Sequence, residues 1–194
     1  MKSCTPSIDG WRSPLLMPKV SGPAPAVWLA RRRVTLGFVC GAAALWLARP
    51  SWTTWVVGCG VAALGELLRV WAAGHLEKDR DVTTSGPYRL TGHPLYIGST
   101  IMGLGFAIAA SSPAVAVLVG LYLATAIPAA IRQEESFLRA TFGDRYESYR
   151  TGRRVERMKP FSFDRARRNR EYRAVAGFVI VAIVLAIKAT LRAG

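Results

Sequence analysis

Long apolar runs alternate with short polar stretches along this chain of 194 residues. The runs extend over Val34 to Ala48, Trp52 to Gly74, Leu95 to Ala110, Ala114 to Ile131 and Ala174 to Leu191. A helix that crosses a bilayer needs about 20 mostly apolar residues, and flanking Arg and Trp side chains can complete a shorter one. Five buried helices of a soluble core are the alternative, but five such runs in one short chain argue against it. The pattern therefore predicts an all-α integral membrane protein with about five transmembrane helices.

The polar stretches divide the chain around these runs. Residues 1–30 are polar, rich in proline and basic, which predicts a tail before a five-span domain over residues 31–194. The segment "ARRRVTLGFVC" superficially resembles an export signal, but further apolar runs follow at once, so we interpret it as the start of the first span. A polar connector from His75 to Pro94 and a basic segment from Arg132 to Arg173 separate two predicted helical hairpins and the last span.

The formal net charge of +14 is distributed unevenly. With the N-terminus inside, 22 of the 26 lysines and arginines fall in the inner segments, which is the asymmetry typical of cytoplasmic loops. This predicts a cytoplasmic N-terminus, an outside C-terminus and attraction to membrane lipids. Aromatic and basic residues do not interleave, so we predict no nucleic-acid face. The three cysteines have no metal-ligand spacing, so we predict neither a disulfide framework nor a metal site.

Two polar islands carry the candidate chemistry. In "GPYRLTGHPLYIG", residues 86–98, tyrosine and histidine rings could stack on a ligand ring or lie against a cation, and Arg89 could hold a carboxylate. In "IRQEESFLRATFGDRYESYR", residues 131–150, Glu134 and Glu135 lie where the fourth span ends. Carboxylates there could hold an ammonium group, or they could simply belong to a solvated helix end. Gly143 is expected to interrupt this helix.

Glu66 and Arg69 lie one turn apart inside the second run. Charges within a span are costly and indicate function by default. They could instead neutralise one another as an i,i+3 pair or reach the interface. Functionally, Arg69 could face the headgroup of a substrate.

The order of these motifs resembles that of the isoprenylcysteine carboxyl methyltransferases and of their relatives, the phospholipid N-methyltransferases. The resemblance covers roughly residues 65–160 and rests on these motifs: Gly86-Pro87-Tyr88, His93-Pro94-Leu95-Tyr96-Ile97-Gly98, Gly103-Leu104-Gly105, Glu134-Glu135, Phe142-Gly143-Asp144-Arg145-Tyr146 with Tyr149, and Pro160. It implies a bacterial-type membrane enzyme, expected in the inner (plasma) membrane. It also implies S-adenosyl-L-methionine as methyl donor, a cofactor pocket at the cytoplasmic face, and a lipidic or isoprenoid-linked methyl acceptor.

The resemblance and the residue chemistry together assign candidate roles. The expected cofactor-binding residues are Tyr88, His93, Pro94, Tyr96, Gly98, Gly103, Leu104, Gly105, Glu134 and Glu135. The candidate substrate-binding residues are Arg69, Arg89, Arg132, Tyr146 and Tyr149. No catalytic residue is assigned, because methyl transfer to a carboxylate needs alignment and a dry site more than a base. An amine acceptor would need a base, for which Glu135 and His93 are the candidates.

One position departs from the family pattern. Gly92 stands where the family usually has Arg before the His-Pro pair, so a cationic contact is missing or comes from Arg89 or Arg132. This puts the substrate in doubt more than the cofactor. We expect carboxyl O-methylation; the alternatives are N-methylation of a phospholipid or other amine, and a non-enzymatic membrane protein that keeps the fold. The sequence "GLG" has helix packing as its ordinary explanation, since no βαβ pattern surrounds it.

Overall fold

The computed structural model describes residues 24–76, 83, 85–143 and 159–193, and of residues 24–34 and 142 it describes the backbone alone. The described residues contain no strand, which confirms the predicted all-α class. The elements in chain order are α1 (Ala24–Leu47), α2 (Trp52–His75), a 3-10 helix (Gly86–Arg89), α3 (Pro94–Ala110), α4 (Pro113–Phe142), α5 (Phe163–Arg168) and α6 (Tyr172–Ala193).

Three helices of the described chain are long and apolar enough to cross a membrane, namely Trp52–His75, Pro113–Thr141 and Tyr172–Ala193. The first and third predicted spans are helical, but their apolar parts, Thr35–Leu47 and Pro94–Ala110, are shorter. The structure therefore confirms three candidate spans and does not confirm the predicted count of five. Large apolar side chains cover the outside of the bundle, which suits a lipid environment better than water; examples are Phe38, Trp46 and Leu191.

Local sequence signals set the helix ends. Ser51 and Thr54 form a capping box at the start of α2, with the backbone N–H of Thr54 donating to Ser51 Oγ at 3.2 Å. Pro94 is the first residue of α3, where its missing N–H costs nothing, and His93 is the N-cap. Gly143 ends α4 with φ of 46°, a left-handed backbone conformation that glycine adopts without strain. The predicted interruption at Gly143 is thus confirmed.

Of the helices that the structure describes, α2 and α3 form the most extensive contact, and glycine makes it possible. A methyl group on Gly105 would lie 2.3 Å from the backbone nitrogen of Ala62, and one on Gly58 would lie 2.3 Å from that of Ala109. Near the other end of the crossing, a methyl group on Gly98 would lie 2.7 Å from the carbonyl oxygen of Gly65. Small residues at such positions let two helix backbones touch, as is common in membranes.

Hydrogen bonds between different elements hold the two ends of the bundle together. At one end the α1–α2 connection meets the end of α3, where the backbone N–H of Arg49 donates to the carbonyl of Ala110 at 2.7 Å. At the other end the start of α5 docks on the end of α2, where the N–H of Ser162 donates to the carbonyl of Gly74 at 3.1 Å. The helix α6 returns along α2, and Trp55 Nε1 donates to the carbonyl of Ala182 at 2.8 Å.

Candidate functional site

A polar cavity of about 500 Å³ lies at the α5 end of the bundle. Its walls come from the last turns of α2, the 3-10 helix and the residues after it, the start of α3, the later part of α4 and the turn between α5 and α6. The polar side chains that line it are Arg69, Tyr88, His93, Tyr96, Ser99, Gln133, Glu134, Asn169 and Glu171. Two of these are carboxylates and one is a guanidinium, so the lining carries an excess of acid whenever the histidine is neutral. That excess is notable in a chain whose net charge is +14.

Arg69 is the electrostatic centre of one wall. Its Nη2 lies 2.7 Å from Oε1 of Glu171, which precedes α6, and its Nε lies 3.4 Å from Oε2 of Glu66 on its own helix. Its Nη1 donates to the hydroxyl of Ser99 on α3. Both carboxylates are buried, so each depends on this guanidinium for compensation. The i,i+3 pair of Glu66 and Arg69, one of the alternatives that the sequence left open, is present in the structure, and Glu171 joins it from a distant part of the chain.

The docking of α5 on the end of α2 positions Glu171. Helix ends leave carbonyl groups without partners, and here Arg165 Nη1 donates to the carbonyl of Gly74 at 2.9 Å. Asn169 Nδ2 donates to the carbonyls of Ala73 and Leu76 at 2.9 and 3.0 Å. These hydrogen bonds cap α2 and hold the turn that precedes Glu171. The carboxylate thereby reaches the guanidinium of Arg69.

His93, which lines the cavity, forms a second polar pair with Glu135 of α4. His93 Nε2 lies 3.3 Å from Glu135 Oε1, and Glu135 Oε2 lies 3.8 Å from Arg139 Nη2. An Nε2–H that donates to this carboxylate leaves Nδ1 for another partner. Nδ1 is buried and has no hydrogen-bond partner among the described residues. The ring of Tyr96 lies close by, with its centroid 6.0 Å from that of His93.

Gly86, in the first motif of the connector, lets the 3-10 helix pack closely against the end of α2. Its φ is 60°, and a methyl group there would lie 2.6 Å from the ring of His75. His75 is itself buried, with Nδ1 3.0 Å from the carbonyl oxygen of Trp71. Because only glycine satisfies both constraints, the 3-10 helix can lie on the end of α2. This places the buried ring of Tyr88 in the cavity wall.

A larger apolar cavity of about 710 Å³ adjoins the polar one. It lies among α1, α3, α4 and α6, and its lining is mostly aliphatic and aromatic. The two cavities share four lining residues, Arg69, Tyr96, Ser99 and Ala130. A ligand with an apolar chain and a polar head could therefore lie in the apolar cavity with its head against the polar one.

The structure brings only part of the predicted site together. Six of the predicted residues line the polar cavity: Arg69, Tyr88, His93, Pro94, Tyr96 and Glu134. Glu135 is connected to it through His93. The other positions lie elsewhere: Gly98 and Gly105 in the α2–α3 contact, Gly103 beside the apolar cavity, and Leu104, Arg89 and Arg132 on the exposed surface. Tyr146 and Tyr149 lie outside the described residues.

Four polar lining residues were not predicted, namely Ser99, Gln133, Asn169 and Glu171. A signal existed for Glu171, because it is an acid within the arginine-rich stretch "RARRNREYR" just before the last apolar run. The scarcity of acids that drew attention to Glu134 applies equally there. Ser99 lies three residues after Tyr96 in α3 and could have been assigned to the same helix face. Among the described residues, no group of three His, Cys, Asp or Glu side chains could hold a metal ion.

Part of this chain is similar in sequence to proteins from bacteria and from a plant. The chain is similar to the cobalt-zinc-cadmium resistance protein CzcN of Cupriavidus metallidurans, with 34% identity over 50% of this chain and 44% of that protein. It is similar to the nickel-cobalt-cadmium resistance protein NccN of Alcaligenes xylosoxydans, with 27% identity over 66% of each. It also matches a probable protein-S-isoprenylcysteine O-methyltransferase of Oryza sativa, with 34% identity over 50% of this chain and 58% of that protein.

The matched segment thus covers less than two thirds of the length of each of these relatives. No solved structure matches the chain. The model of the phospholipid methyltransferase family matches residues 34–145, which is more than half of the chain and includes α2, α3 and the connector motifs. The resemblance inferred from the motifs is confirmed, and the chain belongs to the phospholipid methyltransferase family.

Proposed function

We propose that this protein is a membrane methyltransferase that uses S-adenosyl-L-methionine and methylates the carboxyl group of a lipidic or isoprenoid-linked acceptor. The observation that carries the proposal is the pairing of the two cavities. A polar cavity with an excess of acid suits a cofactor with a sulfonium and an ammonium group, and an adjoining apolar cavity suits an acceptor chain. The family match and the isoprenylcysteine methyltransferase relative support the reaction class.

The residues of the polar cavity fit the cofactor in kind and in size. The volume of about 500 Å³ lies within the range of roughly 300–1,000 Å³ that is typical of ligand sites. Glu134 and Glu171 can hold an ammonium group, and the rings of Tyr88 and Tyr96 can lie against an adenine or a sulfonium. The buried Nδ1 of His93, which lacks a partner among the described residues, can accept or donate a further hydrogen bond.

The reaction requires alignment more than acid–base chemistry. When bound, the cofactor supplies an electrophilic methyl group. The wall formed by Arg69 and Ser99 can orient an acceptor carboxylate from the apolar side, and no proton need leave such an acceptor. Holding two reactants in line can lower a barrier by up to about 7–11 kcal/mol. The apolar lining of the second cavity keeps water away from the point where the two ligands meet.

Methylation of an amine is the second candidate function, and one observation favours it. The Nε2 of His93 and Oε1 of Glu135 lie 3.3 Å apart, and such a pair can accept the proton that an amine acceptor must lose. The family model that matches the chain is also that of the phospholipid methyltransferases.

We further propose that the polar cavity faces the cytoplasm, with the C-terminus outside. The basic residues support this orientation, since all but four of the 26 lie in the segments assigned to the inner side. A soluble cofactor would then reach the cavity from the cytoplasm, while the acceptor comes from the surrounding bilayer. The bacterial inner (plasma) membrane is the proposed location.

Binding of the cofactor is the direct test. Purified protein in detergent is expected to unfold at a higher temperature when S-adenosylmethionine or S-adenosylhomocysteine is added. Charge-assisted contacts are worth roughly 1.5–3 kcal/mol, so Glu134→Gln and Glu135→Gln should each weaken binding by about tenfold or more, and His93→Ala should act similarly. Asp164→Asn, which removes an exposed acid from the same end, is the matched control and should bind normally. If neither molecule raises the unfolding temperature of the wild type, the proposed function is wrong.

The chemical stability of the product separates the two acceptor classes. Membranes that contain the protein, incubated with methyl-labelled cofactor, are expected to yield a lipid-soluble product whose label mild base releases, because a carboxyl ester hydrolyses and an N-methyl group does not. A label that survives base would establish the amine function instead. Membranes with a Glu134→Gln/Glu135→Gln variant provide the blank for labelling by other enzymes.

A further inference from the structure

The end of the bundle opposite the polar cavity contains a second charged cavity, of about 400 Å³. It lies where α1, α3 and α6 end and α2 begins, and its lining includes Arg49, Ser51, Trp52, Ser111 and Arg192. The helix α2 has 24 residues and so is about 36 Å long, which places this cavity roughly one bilayer core away from the candidate methyl-transfer site.

The two arginines lack counterions within the described chain. Neither guanidinium has a hydrogen bond or an ion pair with a described residue. The acidic side chains that the structure describes all lie toward the polar cavity, namely Glu66, Glu134, Glu135, Asp164 and Glu171. Two like charges that face one cavity repel each other unless an anion lies between them.

Lys188, the third basic residue at this end, has hydrogen-bond partners within the bundle. Its Nζ donates to the carbonyls of Leu45 and Trp46 at 2.5 and 3.0 Å, where it caps the end of α1. The contrast shows that a basic residue here can be satisfied by a helix end. Arg49 and Arg192 are not satisfied in this way, and they line the cavity instead.

The remaining lining also suits an oxyanion at a membrane interface. The first turn of α2 points its N–H groups toward this end, which favours negative charge. Ser111 adds a hydroxyl at the turn between α3 and α4. Trp52 and the nearby Trp46 are 44% and 85% exposed, and exposed tryptophans are typical of the level at which lipid headgroups lie. A planar guanidinium pairs with phosphate through two parallel hydrogen bonds.

From these observations we propose that Arg49 and Arg192 form a binding site for the phosphate group of an anionic membrane lipid, in the leaflet opposite the polar cavity. The surrounding tryptophans and apolar helix ends favour a lipid over free phosphate, because they place the arginines beside acyl chains. This site does not depend on the proposed methyltransferase function, since none of its residues lines either of the other cavities.

The test measures lipid affinity of the full chain in neutral detergent by calorimetry with short-chain phosphatidylglycerol. Arg49→Gln/Arg192→Gln is expected to bind at least tenfold more weakly than the wild type. The matched control, Arg167→Gln/Arg168→Gln, makes the same change in charge at exposed positions of α5 and should retain the wild-type affinity. Equal affinities of the Arg49/Arg192 variant and the wild type would overturn the proposal, as would an equal loss in both variants, which would indicate general charge attraction.

Two further measurements establish the source of the phosphate and the integrity of the fold. Inorganic phosphate in large excess should fail to displace the lipid; displacement would refute a lipid site in favour of a soluble phosphate. Arg49→Lys/Arg192→Lys keeps both charges but replaces each planar guanidinium with an ammonium group, so it should bind the lipid with intermediate affinity. Full wild-type affinity would refute the proposed pairing of each guanidinium with phosphate through two parallel hydrogen bonds. Both side chains are exposed, so all variants should unfold at the wild-type temperature.

Discussion

Replacing Arg69 with methionine is expected to lower the free energy of unfolding by about 3–5 kcal/mol, as typically follows when one partner of a buried ion pair is removed. The guanidinium compensates two buried carboxylates, those of Glu66 and Glu171, and its removal leaves both without a cation in the interior. The measurement is thermal or chemical unfolding of the purified protein in detergent. Arg167→Met, the same substitution at an exposed position of α5, is the matched control and should change stability little.

A rescue experiment distinguishes lost charge compensation from lost packing. In the variant Glu66→Gln/Arg69→Met/Glu171→Gln no buried charge of this cluster remains, and complete replacement of a buried ionic cluster by neutral groups is often tolerated. We therefore expect the triple variant to be more stable than Arg69→Met alone. If Arg69→Met is no less stable than Arg167→Met, or if the triple variant is the less stable of the two, the electrostatic role of this cluster is refuted.

Adding a methyl group at Gly105 is expected to destabilise the bundle strongly for so small a change. The methyl would lie 2.3 Å from the backbone nitrogen of Ala62, and a backbone atom cannot rotate away as a side chain can. Overpacking of this kind costs about 1–3 kcal/mol and sometimes more. Gly105→Ala should therefore unfold at a clearly lower temperature than the wild type, because α2 and α3 must separate.

The chain offers two controls for this change. On α2, Gly60 has open space around it, so Gly60→Ala should leave stability unchanged or raise it by up to about 1 kcal/mol. A methyl group on Gly103 would meet only the end of Leu123, at 3.2 Å, and this flexible side chain can move, so Gly103→Ala should be mild. If Gly105→Ala unfolds at the same temperature as Gly60→Ala, the close α2–α3 contact is wrong.

These glycine variants also address the sequence "GLG", which was expected to contribute to the cofactor pocket. In the structure Gly105 lies against α2, Gly103 faces the apolar cavity and Leu104 is 49% exposed. A motif with glycines two residues apart cannot present both to one neighbour along a helix of 3.6 residues per turn. Helix packing, the ordinary explanation of a lone GxG, is what the structure shows for Gly105.

The sequence alone determined the all-α class, the positions of the helices, the family and the part of the site that lies within short motifs. Apolar runs and helix-ending residues act locally, so Pro94 and Gly143 mark helix ends wherever the helices pack. Tyr88, His93 and Tyr96 lie within the motif of residues 86–98 and Glu134 lies near the end of one apolar run, so the motifs were enough to make them candidates, and the structure places them in the lining of one cavity. The connector and the end of the fourth run were expected at the same end of the bundle, so these side chains could be expected to lie close together.

Only the tertiary structure decided which side chains meet across long separations. Glu171 is 102 positions from Arg69 in sequence, and their contact depends on α5 docking on the end of α2 through Arg165 and Asn169. Arg49 and Arg192 are also far apart in sequence, and they line one cavity because α2 and α6 run antiparallel. A buried charge is stable only beside its counterion. Glu66 is a counterion that local spacing could indicate, but Glu171 comes from a distant part of the chain that only the packing brings near.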